Sequence, residues 1–218
     1  MTVKLTDTMH TPPADMLADY ASGAASPGVS LLIASHIAQS GESRANVARY
    51  EALGAALLAD ASAAPMSSGA LDAVLDRLDA DEEEIPTPAG VDAGPLPGVL
   101  MQHVGIDFAR IPWRFRLPGV SEYVLDGFGG ETVSLLRAKP GASVPQHTHE
   151  GEEITLVMTG AMEDGGEVFG PGDVALNDEH DDHKPRIVGD AICHCLIVRT
   201  GSLRFTGRFT RALNLIGE

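Results

Sequence analysis

Near residue 85 the apolar residues of this 218-residue chain change their period. Before that point they recur at helical spacing; after it they come in short runs separated by Gly and Pro, the mark of strands and turns. A chain that switches period once must build two architectures in series. The expectation is a multidomain α + β protein: a small helical bundle over residues 1–80, a linker over 81–98, and an all-β, double-sheet barrel over 99–218.

The helical part reads as four segments. Met16, Leu17 and Tyr20 share one side of a short helix from Ala14 to Ser22, which Gly23 ends. Ser26-Pro27 opens the next, with an N-cap hydroxyl followed by Pro at the first helical position. It runs through Val29, Leu31, Leu32, Ile33 and Ile37 to about Gln39. A third helix follows from Glu42 to Ala61, and a fourth from Ser67 to Leu78 carries Leu71, Val74, Leu75 and Leu78. A helix as short as the last is marginal alone and is expected to pack on a neighbour. Asp79-Ala-Asp81-Glu-Glu-Glu84 repels itself, and Pro86, Pro88, Pro95 and Pro97 break helices, so this stretch reads as linker. Beyond it, Val120–Leu125, Thr132–Ala138, Glu153–Thr159, Glu167–Phe169, Asp173–Leu176, His194–Arg199 and Ser202–Phe209 read as strands. Lys139-Pro140-Gly141, Asp164-Gly165-Gly166 and Pro171-Gly172-Asp173 mark turns between them.

The net charge of −16 makes this chain a poor grip for nucleic acid. Residues 1–85 carry net −9 of it, with four basic and thirteen acidic residues, which suits a basic protein partner or simple solubility. No apolar run reaches the ~18 residues of a membrane span. Met1-Thr-Val-Lys-Leu-Thr-Asp lacks the basic-then-apolar order of a signal peptide. With only Cys193 and Cys195, two apart on one strand, a reduced cytoplasmic compartment is expected.

Five of the eight histidines fall between residues 147 and 194. In Gly141-Ala-Ser-Val-Pro-Gln-His147-Thr-His149-Glu-Gly151-Glu-Glu153, two imidazoles at i and i+2 of an extended segment point to one face. Gly151 then turns the chain and Glu153 returns on the next strand. His183, in Asp181-Asp182-His183-Lys-Pro185, is the expected fourth donor, in preference to His180, because it directly precedes a run that re-enters the sheet. A His3Glu set suits a divalent metal, zinc first, with iron, manganese and nickel open on ligand type. Cys193 and Cys195 flank His194; they read either as a redox pair or as two small hydrophobes in a strand.

The segment Pro140–Gly160, followed by Gly170-Pro-Gly172-Asp173 and His183, resembles the two motifs of a cupin, a double-sheet barrel holding a metal on His-x-His, Glu and a later His. Leu17-Ala-Asp-Tyr20-Ala-Ser-Gly23, with Ser35-His36-Ile-Ala-Gln-Ser40-Gly-Glu-Ser43-Arg44, resembles the anti-sigma domain of zinc-dependent anti-sigma factors. The whole order resembles the ChrR family of transcriptional regulators. That resemblance implies a protein that sequesters an ECF sigma factor and releases it on singlet-oxygen or peroxide stress, with the barrel as metal-binding sensor or brake. The cysteine pair fits a sensing role in that family. One departure is large. The family pattern is His-x-x-x-Cys-x-x-Cys with an earlier His; here His36 is in place and His10 stands near the earlier position, but Ser40 and Ser43 replace both cysteines. A neutral hydroxyl is a weak zinc ligand, so no tight helical-domain zinc is expected, His36 becomes a half-buried helix residue, and the helices hold by packing alone. A second reading is a cupin metalloenzyme, a dioxygenase or isomerase acting on a small molecule. A homodimer through the barrels is the default assembly in either case.

Overall fold

In a computed structural model, residues 10–79 and 90–207 are described. The acidic run Asp81–Glu84 (with Pro86 and Pro88), the N-terminal heptapeptide and the end of the last expected strand at Phe209 lie outside them.

Helix α1 spans Ala14–Ser22 and ends on Gly23 at φ 76°, as its sequence requires. Helix α2, Pro27–Ile37, begins with the Ser26 side chain accepting the Val29 N–H. Its apolar residues run all round, and the helix is buried on opposite sides, with Leu32, Ile33, Ser35 and His36 fully covered. It packs against α1, against α3 (Gly41–Asp60), and against the seven-residue helix α5 (Gly98–Val104). Its other side lies on a β-sheet. Gly28 makes that approach possible: a Cβ there would sit 2.8 Å from Val133 and 3.0 Å from Val198.

Helix α5 begins directly after Pro97, inside the stretch whose prolines were expected to prevent a helix. A proline just ahead of the first turn removes no helical hydrogen bond, so it starts this helix instead of stopping it. Helix α4, Ala70–Asp79, corrects another expectation. Leu71, Val74, Leu75 and Leu78 are all exposed, by 47–69%, and among the described residues no element covers them. The far half of α3 is equally bare at Leu53, Leu57 and Leu58.

The β part is two layers. Strands β1 (Arg114–Leu117), β2 (Val120–Leu125), β3 (Glu131–Ala138), β5 (Glu153–Thr159), β8 (Val174–Asn177) and β10 (Cys193–Thr200) form one antiparallel sheet in the order β1-β2-β3-β10-β5-β8. The facing layer holds β6 (Ala161–Asp164) between β7 (Glu167–Phe169) and β9 (Arg186–Val188), and β4 (His147–His149) beside β11 (Leu203–Phe205). Backbone bonds from Val144 to Pro185 and between His147 and His183 continue the layer. The large sheet is covered on both faces: outward by the helices, inward by the second layer. Leu135, Leu156, Leu196 and Val198 join Leu32 and Ile33 in one core, while Val157, Cys195 and Ile197 point into the barrel. That double covering explains why β5 and β10 are almost unbroken apolar runs rather than alternating ones. No described helix is long and apolar enough to cross a membrane.

Candidate metal centre

Four side chains expected to act together do converge. His147, His149, Glu153 and His183 place one donor atom each within 4.8 Å of one another, and all four are buried. Strand β4 presents both imidazoles inward, and the β4–β5 turn delivers Glu153. Gly151 belongs in that turn because a Cβ would run into the Thr200 carbonyl oxygen. His183 arrives from the opposite side through a reciprocal backbone pair with His147, 3.0 Å in each direction. His180 is exposed beside Glu179 and takes no part.

The outer nitrogens are tied back. His147 Nδ1–H donates to the Pro145 carbonyl at 2.8 Å, and His183 Nδ1–H donates to Asp164 at 2.6 Å. Each tautomer therefore turns its Nε2 lone pair inward. The Nε2 atoms of His149 and His183 stand 2.9 Å apart, a separation at which two lone pairs repel unless a proton or cation lies between them. Burial first, then the neighbouring imidazoles, hold the pKa of His147 down at about 4 and that of His149 at about 3. Burial also pulls His183 down, but the hydrogen bond and charge of Asp164 prevail and raise it. Burial pushes Glu153 above the usual carboxylate range. Two imidazoles that resist protonation, an oriented third and a carboxylate that lacks solvent form a donor set that a divalent transition metal satisfies. Asp164, 19 residues from its histidine, was read only as part of a turn; nothing in the local sequence marks it as the group that orients His183.

His10 and His36 are placed elsewhere. Neither belongs to a group of three or more metal donors among the described residues. The His36 ring is fully buried rather than half-buried, because α2 lies between helices and barrel. Its Nδ1–H donates to the Gly172 carbonyl at 2.8 Å, and its Nε2 accepts the Ser43 hydroxyl at 2.7 Å. Both nitrogens of a neutral ring are thus spoken for, one as donor and one as acceptor, and burial keeps its pKa below the ordinary value. Ser40 caps α3 by accepting the Ser43 N–H. His10 donates its backbone N–H to Asp173 at 3.0 Å and stacks on Phe169. So the helices are held to the barrel by polar ties as well as by packing. Cys193 and Cys195 are free thiols, fully buried, with sulfurs 3.6 Å apart. The Cys193 thiol, together with burial, pushes the Cys195 pKa well up.

Comparison with known proteins agrees with this layout. Residues 101–204 match the ChrR cupin-like domain family. The chain is 34% identical over 191 residues to the anti-sigma-E factor ChrR of Cereibacter sphaeroides, covering 87% of this chain and 89% of the relative. It also superposes on a chain of the crystal structure of Rhodobacter sphaeroides SigE in complex with the anti-sigma ChrR. The TM-score is 0.75 and the identity 31%, over 87% of this chain and 97% of that one. This chain, whose described residues form five α-helices followed by a two-layer barrel with a His3Glu cluster and which is matched along most of its length, is a member of the ChrR family of anti-sigma factors.

Proposed function

We propose that this protein sequesters an ECF sigma factor through its helical part and releases it in the response to singlet-oxygen or peroxide stress. The observation that carries this reading is the uncovered apolar surface of α3 and α4. Leu53, Leu57, Leu58, Leu71, Val74, Leu75 and Leu78 are each 47–77% exposed, far more than a helix pair finished by itself would leave in water. The solved relative is one in complex with SigE, which supplies the kind of partner. The surplus of acidic residues in this part favours fast, oriented encounter with a basic surface.

In this reading the division into 1–80, 81–98 and 99–218 is functional: the first part binds the sigma factor, and the last holds a metal, zinc in first place, with iron, manganese or nickel as the alternatives. Held there on His147, His149, Glu153 and His183, the metal would cross-link β4, β5 and the segment before β9. His10 and His36, with Ser40 and Ser43, hold no metal, and Cys193 and Cys195 serve as packing within β10. The protein acts in the cytoplasm, touches neither nucleic acid nor membrane itself, and pairs with a second copy through the barrel if it dimerises.

The test is co-purification and calorimetry with the sigma factor encoded beside this gene. A stable complex is expected with the wild-type chain, and its loss is expected in the Leu57→Asp/Leu75→Asp double variant, whose exposed positions leave the fold intact. No complex with either metal-loaded or metal-free chain refutes the reading.

A further inference from the structure

Between the two layers of the barrel lies a cavity of about 1530 Å³, and His147, Glu153 and His183 of the cluster are part of its lining. That exceeds the ~300–1,000 Å³ of ordinary small-molecule pockets. Its deeper wall is apolar, with Leu136, Ala138, Met162, Ile187, Cys195 and Ile197 facing in. Its charged groups are almost all matched. Arg116 pairs with Glu122, Arg204 with Glu150, and Asp164 with His183. Arg199 is the exception. It follows Cys195 and Ile197 on the inward side of β10, is half-buried, and lies opposite Glu153 in the β10–β5 ladder. Among the described residues its guanidinium makes no hydrogen bond and no ion pair within 4.0 Å, though its charge reaches Glu153.

We propose that this lumen binds a small organic carboxylate with an apolar body, Arg199 being the group that fixes its charged end. The proposal rests on the metal part of the reading above. Once a divalent cation takes the charge of Glu153, the cation, Arg199, Glu153 and Asp164 leave the cluster's end of the lumen with a surplus of positive charge. A guanidinium left without a partner beside apolar walls is a poor state by itself, and its planar fork matches a carboxylate on two hydrogen bonds. The apolar wall below it then accepts the rest of the ligand. A multiply charged phosphate finds only one free cationic side chain here, so a monocarboxylate fits better.

Calorimetry on the full-length, zinc-loaded chain tests this, with octanoate, octan-1-ol and inorganic phosphate as probes and metal content measured on every sample. Octanoate is expected to bind about ten-fold or more tightly than octan-1-ol or phosphate. Arg199→Gln is expected to remove that preference with metal content unchanged, and Arg199→Lys to restore part of it. A wild-type chain that takes up no metal refutes the metal reading and this proposal with it. A metal-loaded chain that binds octanoate no better than octan-1-ol, or an Arg199→Gln chain that binds octanoate as well as wild type, refutes the proposal and leaves the metal reading standing.

Discussion

The first residue of β3 holds the helical part to the barrel, and removing its carboxylate should loosen that joint measurably. Glu131 Oε1 accepts the Ser26 hydroxyl at 2.5 Å and Oε2 accepts the Gly28 N–H at 2.9 Å. The first donor is the side chain of the residue that caps α2, and the second is a first-turn backbone N–H, a group with no partner within the helix. The carboxylate thus caps α2 from another element, more than a hundred residues away in sequence, and it faces the positive end of the helix dipole. Two hydrogen bonds to a charged acceptor are worth ~1.5–3 kcal/mol each when desolvated. Glu131 is only half-buried, which moves the sum toward the lower end, and the dipole adds ~0.3–1 kcal/mol. Glu131→Ala should therefore cost about 3–4 kcal/mol. Glu131→Gln keeps the shape and part of the bonding, and should cost about 1 kcal/mol. The assay is urea unfolding followed in parallel by far-ultraviolet dichroism and by fluorescence of Trp113, which packs on the large sheet beside His194 and Arg137. Because α2 and the large sheet share one core, both signals should shift together. A Glu131→Ala chain within about 0.5 kcal/mol of wild type, or a helix signal that shifts while Trp113 does not, would refute the idea that this carboxylate ties the two parts.

Two further predictions concern the barrel. Asp164→Asn replaces the acceptor that orients His183, and zinc affinity should fall by ~10–100-fold in competition with a chelator, with the other three donors unaltered; an unchanged affinity would mean that His183 needs no orienting partner. His194 is buried against Phe108 and Trp113, with Nδ1 2.8 Å from the Thr159 hydroxyl, and burial followed by the charge of Arg137 lowers its pKa to about 4. The unfolded chain, with His194 near 6.5, then binds more protons than the folded one between pH 6.5 and 4, so stability should rise with pH across that window and fall on acidification. Midpoints of thermal unfolding between pH 7 and 4 check this: His194→Gln should flatten the slope, and an identical slope in that variant would show that other groups cause it.

Much of the local structure was legible because it depends on neighbours in sequence. Ser26-Pro27 and Gly23 bracket helices at the predicted residues, since capping and positive φ are decided within one turn. Val120–Leu125, Glu153–Thr159 and Glu167–Phe169 are strands at the predicted bounds, fixed by the Gly and Pro turns between them. Three of the four candidate donors were legible for a similar reason: strand alternation puts His147 and His149 on one face, and a tight turn brings Glu153 back within a few residues. The short strands β1 and β6 and the helix α5 escaped notice because each is four to seven residues long and stands next to proline, glycine or charge.

The sequence by itself determined the order of architectures, the caps and turns, and the clustering of His147, His149 and Glu153, because each follows from periodicity or from contacts a few residues apart. The tertiary structure alone decided what those parts face. It set Gly28 against Val133 and Val198, so that helices and barrel share one core. It set His36 under the Gly172 carbonyl, 136 residues away, so that a histidine without its cysteines is satisfied by hydrogen bonds. It paired Asp164 with His183, left Arg199 unpaired in the lumen, and left the apolar face of α4 in water. Helical and strand periods state which side of an element is apolar; they carry no record of which distant element, or which other molecule, covers it.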